Sequence, residues 1–145
     1  MQPELQFLIR LLVAALLAAL LGWEREAARK SAGLRTHMLV GIASALYTSI
    51  AELSVADIHP GSRGFQADPI RAVQAVAIGI GFLGSGVIFV GRHQDRVQGL
   101  TTAASIWATA AIGIAAGLAH YLLAVGATVL LLFVLRVLVR FDAED

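Results

Sequence analysis

The residues able to do chemistry in this chain are few, and they sit between long apolar runs. Glu24, Arg25 and Glu26 follow one another directly, with Arg35 and Thr36 shortly after; Thr101 and Thr102 open a later apolar run. A second set, Arg10, Glu52, Asp68 and Arg71, falls near the ends of three apolar runs. Carboxylates could bind a hard cation such as magnesium through oxygen, and Glu52, Asp57 and Asp68 are the only group close enough in sequence pattern; carboxylates beside arginines more readily pair with those arginines. His37, His59, His93 and His120 show none of the close spacings that metal sites use. No serine stands in a nucleophile elbow, and no Gly-Lys-Ser/Thr loop is present to hold phosphate. The absence of cysteine removes disulfides, thiol chemistry and thiolate metal sites together. The expectation is therefore a protein that is not an enzyme and needs no catalytic group, metal or cofactor.

The elements that must position these residues are apolar helices. Of the 145 residues, 58% are hydrophobic and only 14% charged, and the mean hydropathy is +0.78, which leaves little for a soluble domain. A membrane-crossing helix needs roughly 20 apolar residues, and five runs approach that length: 5–21, 37–55, 70–90, 101–117 and 121–139. They are long and continuous, whereas barrel strands alternate over about 10 residues. The pattern predicts an all-α membrane protein, a bundle of five transmembrane helices filling residues 1–141, with a short acidic tail at 142–145. The first run has neither a basic leader nor a small-residue cleavage site, so it is read as a span that stays. The fourth and fifth runs are separated only by Gly117, Leu118, Ala119 and His120. A single helix over 101–139 would run about 58 Å at about 1.5 Å per residue, against a hydrocarbon core of about 30 Å, so a tight hairpin near Gly117 and His120 is expected.

Arg25, Arg29, Lys30, Arg35, Arg92, Arg96, Arg136 and Arg140 all fall on one side of this arrangement, and they are most of the chain's 11 basic residues. Short basic loops stay in the cytoplasm, which puts the N-terminus outside and the tail, with Asp142, Glu144 and Asp145, inside. The net charge of +1 gives no reason to expect nucleic acid.

The third run is rich in small residues. At about 100° per residue, Gly79 and Gly86 fall on one stripe and Gly81 and Gly84 on the opposite one, and small residues let helices approach closely in lipid. The expectation is a helix at the centre of the bundle or at a homodimer seam. Gly79, Gly81 and Gly84 also spell the dinucleotide-binding fingerprint, but that motif needs a preceding strand and a helix start at its end, and here it lies inside an apolar span. A faint repeat pairs Gly33–Thr36 with Gly99–Thr102; it fits a parallel duplication of the kind seen in transporters or, more simply, a reused helical hairpin.

Two readings stand at each polar end. Outside, Arg10, Glu52, Asp68 and Arg71 could form one ion-paired cluster; alternatively Arg10 and Arg71 reach to headgroups and Asp68 caps the third helix with Pro69 in its first position. The second weighs more, because each residue lies within two turns of a span end. Inside, Glu24, Arg25, Arg35, Thr36, Thr101 and Thr102 could build a pocket or docking surface from capping hydroxyls and loop charges, or simply anchor the protein to the interface with Trp23 or to anionic lipid.

The runs 24–41 (ERE, then AGLRTHMLVG), 68–89 (DPIR, then GIGFLGSGVIF) and 99–117 (GLTTAASIWATAAIG, ending AAG) closely resemble the MgtC/SapB family of bacterial inner-membrane proteins, over nearly the whole chain. The resemblance implies a five-helix membrane domain with an outside N-terminus. Many such proteins continue into a soluble cytoplasmic domain, so this chain is expected to be the membrane domain alone. The family is tied to growth in low magnesium and to virulence. Its members look like regulators of other inner-membrane proteins, the ATP synthase or a transporter among them. A small ion or solute transporter formed by an oligomer, lined by Glu52, Asp68 and Arg71, is the alternative.

Overall fold

The computed structural model describes residues 3–56, 69–90 and 97–137. Five helices follow one another: α1 (Pro3–Ala27), α2 (Leu34–Ala56), α3 (Pro69–Ser85), α4 (Leu100–Gly117) and α5 (Tyr121–Val137). Between α3 and α4 a short antiparallel pair, β1 (Phe89–Val90) and β2 (Val97–Gln98), sets Phe89 opposite Gln98 and Val90 opposite Val97. The central element is α4, which packs against every other helix. By length and apolar character α1 and α4 can cross a membrane; α3 and α5 are apolar but shorter.

Side-chain size is inverted relative to a water-soluble domain. The interior is built mostly from Ala14, Ala18, Ala45, Ala110, Ala116 and Ala124, with Leu21, Ile106 and Ile112 as its large buried members, while Leu122 is 88% and Phe82 85% exposed. Helices in lipid gain nothing from hiding leucine from a hydrocarbon solvent, so small residues collect where backbones must meet. Gly113 meets the carbonyl of Gly41 so closely that a Cβ there would collide with it, and a Cβ on Gly41 would stand 2.7 Å from that of Ala18. Gly117 is pressed in the same way against Thr48 and Ala45.

Three sequence expectations are revised. The first helix does not stop near Leu21 but runs to Ala27, so Glu24, Arg25 and Glu26 are helical rather than loop residues; Gly22 is tolerated because Leu34 lies where its side chain would be. The third helix ends at Ser85, not near Val90, because the β-branched run from Val87 onward enters the strand pair. Within the chain, α3 is peripheral. Gly79 and Gly81 have open space where a Cβ would be, Gly84 faces Ala103 at ordinary contact distance, and Gly86 lies in the turn after the helix. Of the two places expected for α3, the centre of the bundle is taken by α4.

The break between α4 and α5 lies where the hairpin was expected. His120 N–H donates to the Ala115 carbonyl at 2.8 Å and Ala119 N–H to that of Ala116 at 3.0 Å, the paired bonds of a Schellman stop. The same two bonds end α1, from Lys30 to Arg25 and from Arg29 to Glu26. The left-handed position is held by Ala119 (φ 61°) and Arg29 (φ 53°) where glycine is usual, at about 1–2 kcal/mol each.

Gly113→Ala is expected to destabilise the bundle by about 1–3 kcal/mol, the range for overpacking a filled core, whereas Gly79→Ala should stay within about 0.5 kcal/mol of the parent. Thermal or denaturant unfolding in one detergent compares them, and equal effects would contradict the placement of these glycines.

Candidate functional site

At the end of the bundle where α1 finishes, a polar layer is closed off from its surroundings. Extension of α1 past Gly22 carries Glu24 and Arg25 inside, and Arg25 has no exposed surface while Glu24 keeps 8%. The two carboxylate oxygens of Glu24 accept from Arg25 Nε and, at 2.7 Å, from Nη2. Nη2 also reaches the Leu135 carbonyl near the end of α5, at 3.5 Å. Nη1 is buried and has no hydrogen-bond partner.

Beside this pair stands His37, fully buried one turn into α2. Its Nδ1 lies 2.9 Å from the Gly33 carbonyl oxygen and its Nε2 lies 3.2 Å from Ser105 Oγ on α4. Ser105 Oγ is in turn 2.8 Å from the Thr102 carbonyl oxygen. The layer thus joins α1, α2, α4 and α5 through Glu24, Arg25, His37, Ser105 and Leu135.

The start of α2 is capped from α1 rather than by its own threonine. Glu26 accepts the Leu34 N–H at 2.9 Å, satisfying one of the free amides of a helix start. Gly33 makes room for that carboxylate, since a Cβ there would lie 2.8 Å from Glu26 Oε2. Helix α4 begins on Gly99, whose φ of 85° is left-handed and which has no side-chain cap. The expectation that Thr101 and Thr102 open it as capping hydroxyls is therefore replaced by a glycine start. Thr102 is buried against the His37 layer, while Thr101 and Arg35 are exposed and Thr36 half-buried.

At the opposite end Arg10 Nη1 lies 2.5 Å from Glu52 Oε2 and 2.9 Å from the Gly117 carbonyl oxygen at the end of α4. Its guanidinium also sits 4.7 Å from the Phe7 ring centroid, a cation–π distance. Arg71 is exposed at the start of α3; Asp57 and Asp68 lie outside the described residues. The structure joins Arg10 and Glu52 and leaves Arg71 on the surface.

Among the described residues no three His, Asp or Glu side chains are grouped to hold a metal. The residues that sequence reading missed are His37 and Ser105. A signal was available, because Thr102, Ser105 and Thr109 recur at intervals of three and four along an apolar helix, a polar stripe on one face.

A model of the MgtC family matches residues 11–143. The chain belongs to the MgtC family. It is 44% identical over 136 residues to the putative magnesium transporter YhiD of Escherichia coli K12, covering 91% of this chain and 60% of that protein. It is 40% identical over 126 residues to the protein MgtC of Salmonella typhimurium LT2, covering 87% of this chain and 49% of that one. An uncharacterized Haemophilus influenzae protein is 39% identical over 127 residues, covering 88% of this chain and 53% of the relative. This MgtC-family chain thus spans about half to three-fifths of the length of these relatives. No solved structure matches it. Family membership and the two apolar helices identify a membrane protein.

The buried pair makes a sharp energetic expectation. Arg25→Met should destabilise the fold by about 3–5 kcal/mol, because Glu24 is left as an unpaired buried charge. Glu24→Gln combined with Arg25→Met should recover most of that loss. A double-mutant cycle on unfolding in detergent measures both, and additive losses would show that the two side chains are not coupled.

Proposed function

We propose that this protein is a multi-pass inner-membrane accessory protein linked to magnesium homeostasis, acting by contact with another membrane protein rather than by passing a solute through itself. Its five helices cross the bilayer with the N-terminus outside and the Glu24–Arg25 layer at the cytoplasmic face. The basic residues Arg25, Arg29, Lys30, Arg35 and Arg136 support that orientation through the retention of positive loops inside. The magnesium link rests on relatives named MgtC and putative magnesium transporter YhiD.

The observation that carries the contact reading is the closed interior. Between the two polar ends, α2 and α4 meet at backbone distance through Gly41, Gly113 and Gly117. Of the buried hydroxyls in this zone, Thr48 bonds to Ser44 and Ala45, Thr109 to Ser105 and Thr128 to Ala124, each within its own helix, while Ser49 donates across to the Gly117 carbonyl of α4 at 3.5 Å. Hydroxyls turned back on the helix in this way offer little to a migrating ion. The exposed residues Arg29, Lys30, Arg35 and Thr101 instead give the cytoplasmic end a polar surface suited to a partner. Transport remains the second reading because of the YhiD relative's name, and it would need an oligomer.

That oligomer, or a regulatory homodimer, is assigned to α3. Ile78 (76% exposed) and Phe82 stand one turn apart on an exposed face of α3, and Gly81 beside them has open space where a Cβ would be, a surface suited to close helix contact. Gly81→Leu is expected to convert the dimer to monomer in crosslinked membranes with unfolding unchanged; a dimer that survives it removes this face of α3 as the seam.

The proposed partner contact is tested with Arg35, which is exposed at the start of α2. Arg35→Ala should insert normally and yet fail to complement a deletion strain in low magnesium, and mild-detergent purification should lose a stoichiometric membrane partner that the parent retains. Full complementation would count against Arg35. Magnesium flux in proteoliposomes of the purified parent would overturn the contact reading in favour of transport.

A further inference from the structure

The hydrogen-bond inventory around His37 does not close on a single protonation state. A carbonyl oxygen can only accept, so Nδ1, 2.9 Å from the Gly33 carbonyl, carries a hydrogen in every state of the ring. The same argument applied to Ser105, 2.8 Å from the Thr102 carbonyl, commits its only proton to that carbonyl. Nε2 then faces a lone pair of Ser105 Oγ at 3.2 Å, and the contact is a hydrogen bond only if Nε2 also carries a proton. The alternative is a neutral ring, with the Ser105 hydroxyl rotated to donate to Nε2 and the Thr102 carbonyl left to its own helix. Rotation of one hydroxyl separates the two arrangements, and neither requires backbone movement.

We propose that His37 and Ser105 form a proton-binding site at the seam of α2 and α4, in which the imidazole is the acceptor and the serine hydroxyl reverses its donor direction as the proton arrives. The site does not depend on which machine the protein contacts, nor on whether it transports.

Its surroundings give the proton a consequence. Among the described residues, the charged groups acting on His37 are Glu24 and Arg25 of α1, with Glu26 at the neighbouring turn on the Leu34 amide. From α4 it meets the hydroxyl of Ser105, with buried Thr102 one turn away, and Arg35 on its own helix is exposed. A neutral His37 leaves one arginine balanced by Glu24. A charged His37 places two cations against that single buried carboxylate, with Arg25 Nη1 already lacking an acceptor. Like charges in a weakly screened interior repel, so the proton loosens the hold of α1 on the α2–α4 seam while strengthening the bond from His37 to Ser105.

The experiment is ¹⁵N NMR of histidine-labelled full chain in phospholipid bilayers between about pH 5 and pH 8, the range over which imidazoles titrate. His37→Gln identifies the His37 signals among the four histidines, and exposed His120 is the internal reference. The expected result is a His37 ring that is the Nδ1–H form at the alkaline end and doubly protonated at the acid end. Its midpoint should move by about one unit or more in Ser105→Ala, a shift worth about 1.4 kcal/mol, and return toward the parent value in Ser105→Thr, which keeps the hydroxyl. A His37 ring that holds one form across the range overturns the proposal, and that result is read in the parent protein once its signal is assigned. An Nε2–H tautomer, or a midpoint that Ser105→Ala leaves unmoved, overturns it equally.

Discussion

A helix end leaves its last carbonyls without an intrahelical partner, and this bundle answers that constraint twice with the same device. Arg10 and Arg25, on α1, each reach across to a carbonyl near the end of another helix, Gly117 of α4 and Leu135 of α5. Each is held by a carboxylate, Glu52 from α2 and Glu24 from α1 itself. The two arginines are roughly 22 Å apart along α1 at the helical rise, so one helix fastens both ends of the α4–α5 hairpin. A guanidinium in hydrocarbon is costly when alone; its carboxylate keeps it neutral overall, and the carbonyl uses a remaining donor.

The middle of the bundle then has to be thin. With both ends fastened to α1, the helices can meet only where side chains nearly vanish, and Gly41, Gly113 and Gly117 supply the backbone contact that Ala14, Ala18 and Ala45 extend. Dispersion between closely packed backbones replaces the hydrophobic effect, which lipid does not provide. This is why the large residues Leu122, Phe82 and Trp107 lie outside with no implication of a soluble interface.

Much of this was legible in the residues. Apolar runs and the separation of 117 from 121 placed all five helices, and an ion-paired cluster of Arg10 and Glu52 with Asp68 and Arg71 was the less favoured of two readings; Arg10 pairs with Glu52 where the favoured reading sent it to headgroups. The end of α1 was not legible, because hydropathy falls at Gly22 while the helix continues, and burial of Arg25 depends on neighbours distant in sequence. Glycine spacing could not say which neighbour a helix meets: in an apolar helix, small residues packed inside the chain and small residues left open give the same pattern, so Gly79 and Gly81 read like Gly113 and Gly117. His37 gave no spacing signature at all, since its partner Ser105 lies on another helix.

The Glu24–Arg25 layer cannot be justified by stability alone. Two charges and an unpartnered N–H are buried where a pair of apolar side chains of similar volume would often hold the helices as well or better. Arg10 and Glu52 differ in this respect, because Glu52 keeps 45% of its side-chain surface and with it much of its hydration. The two ends therefore do different things: the Arg10–Glu52 pair fastens, whereas the Glu24–Arg25 pair keeps a neutral charge balance that one added charge can upset. A buried imidazole is the group placed to add it, which makes the Glu24–Arg25 end the part of this fold where a change in conditions can become a change in helix packing.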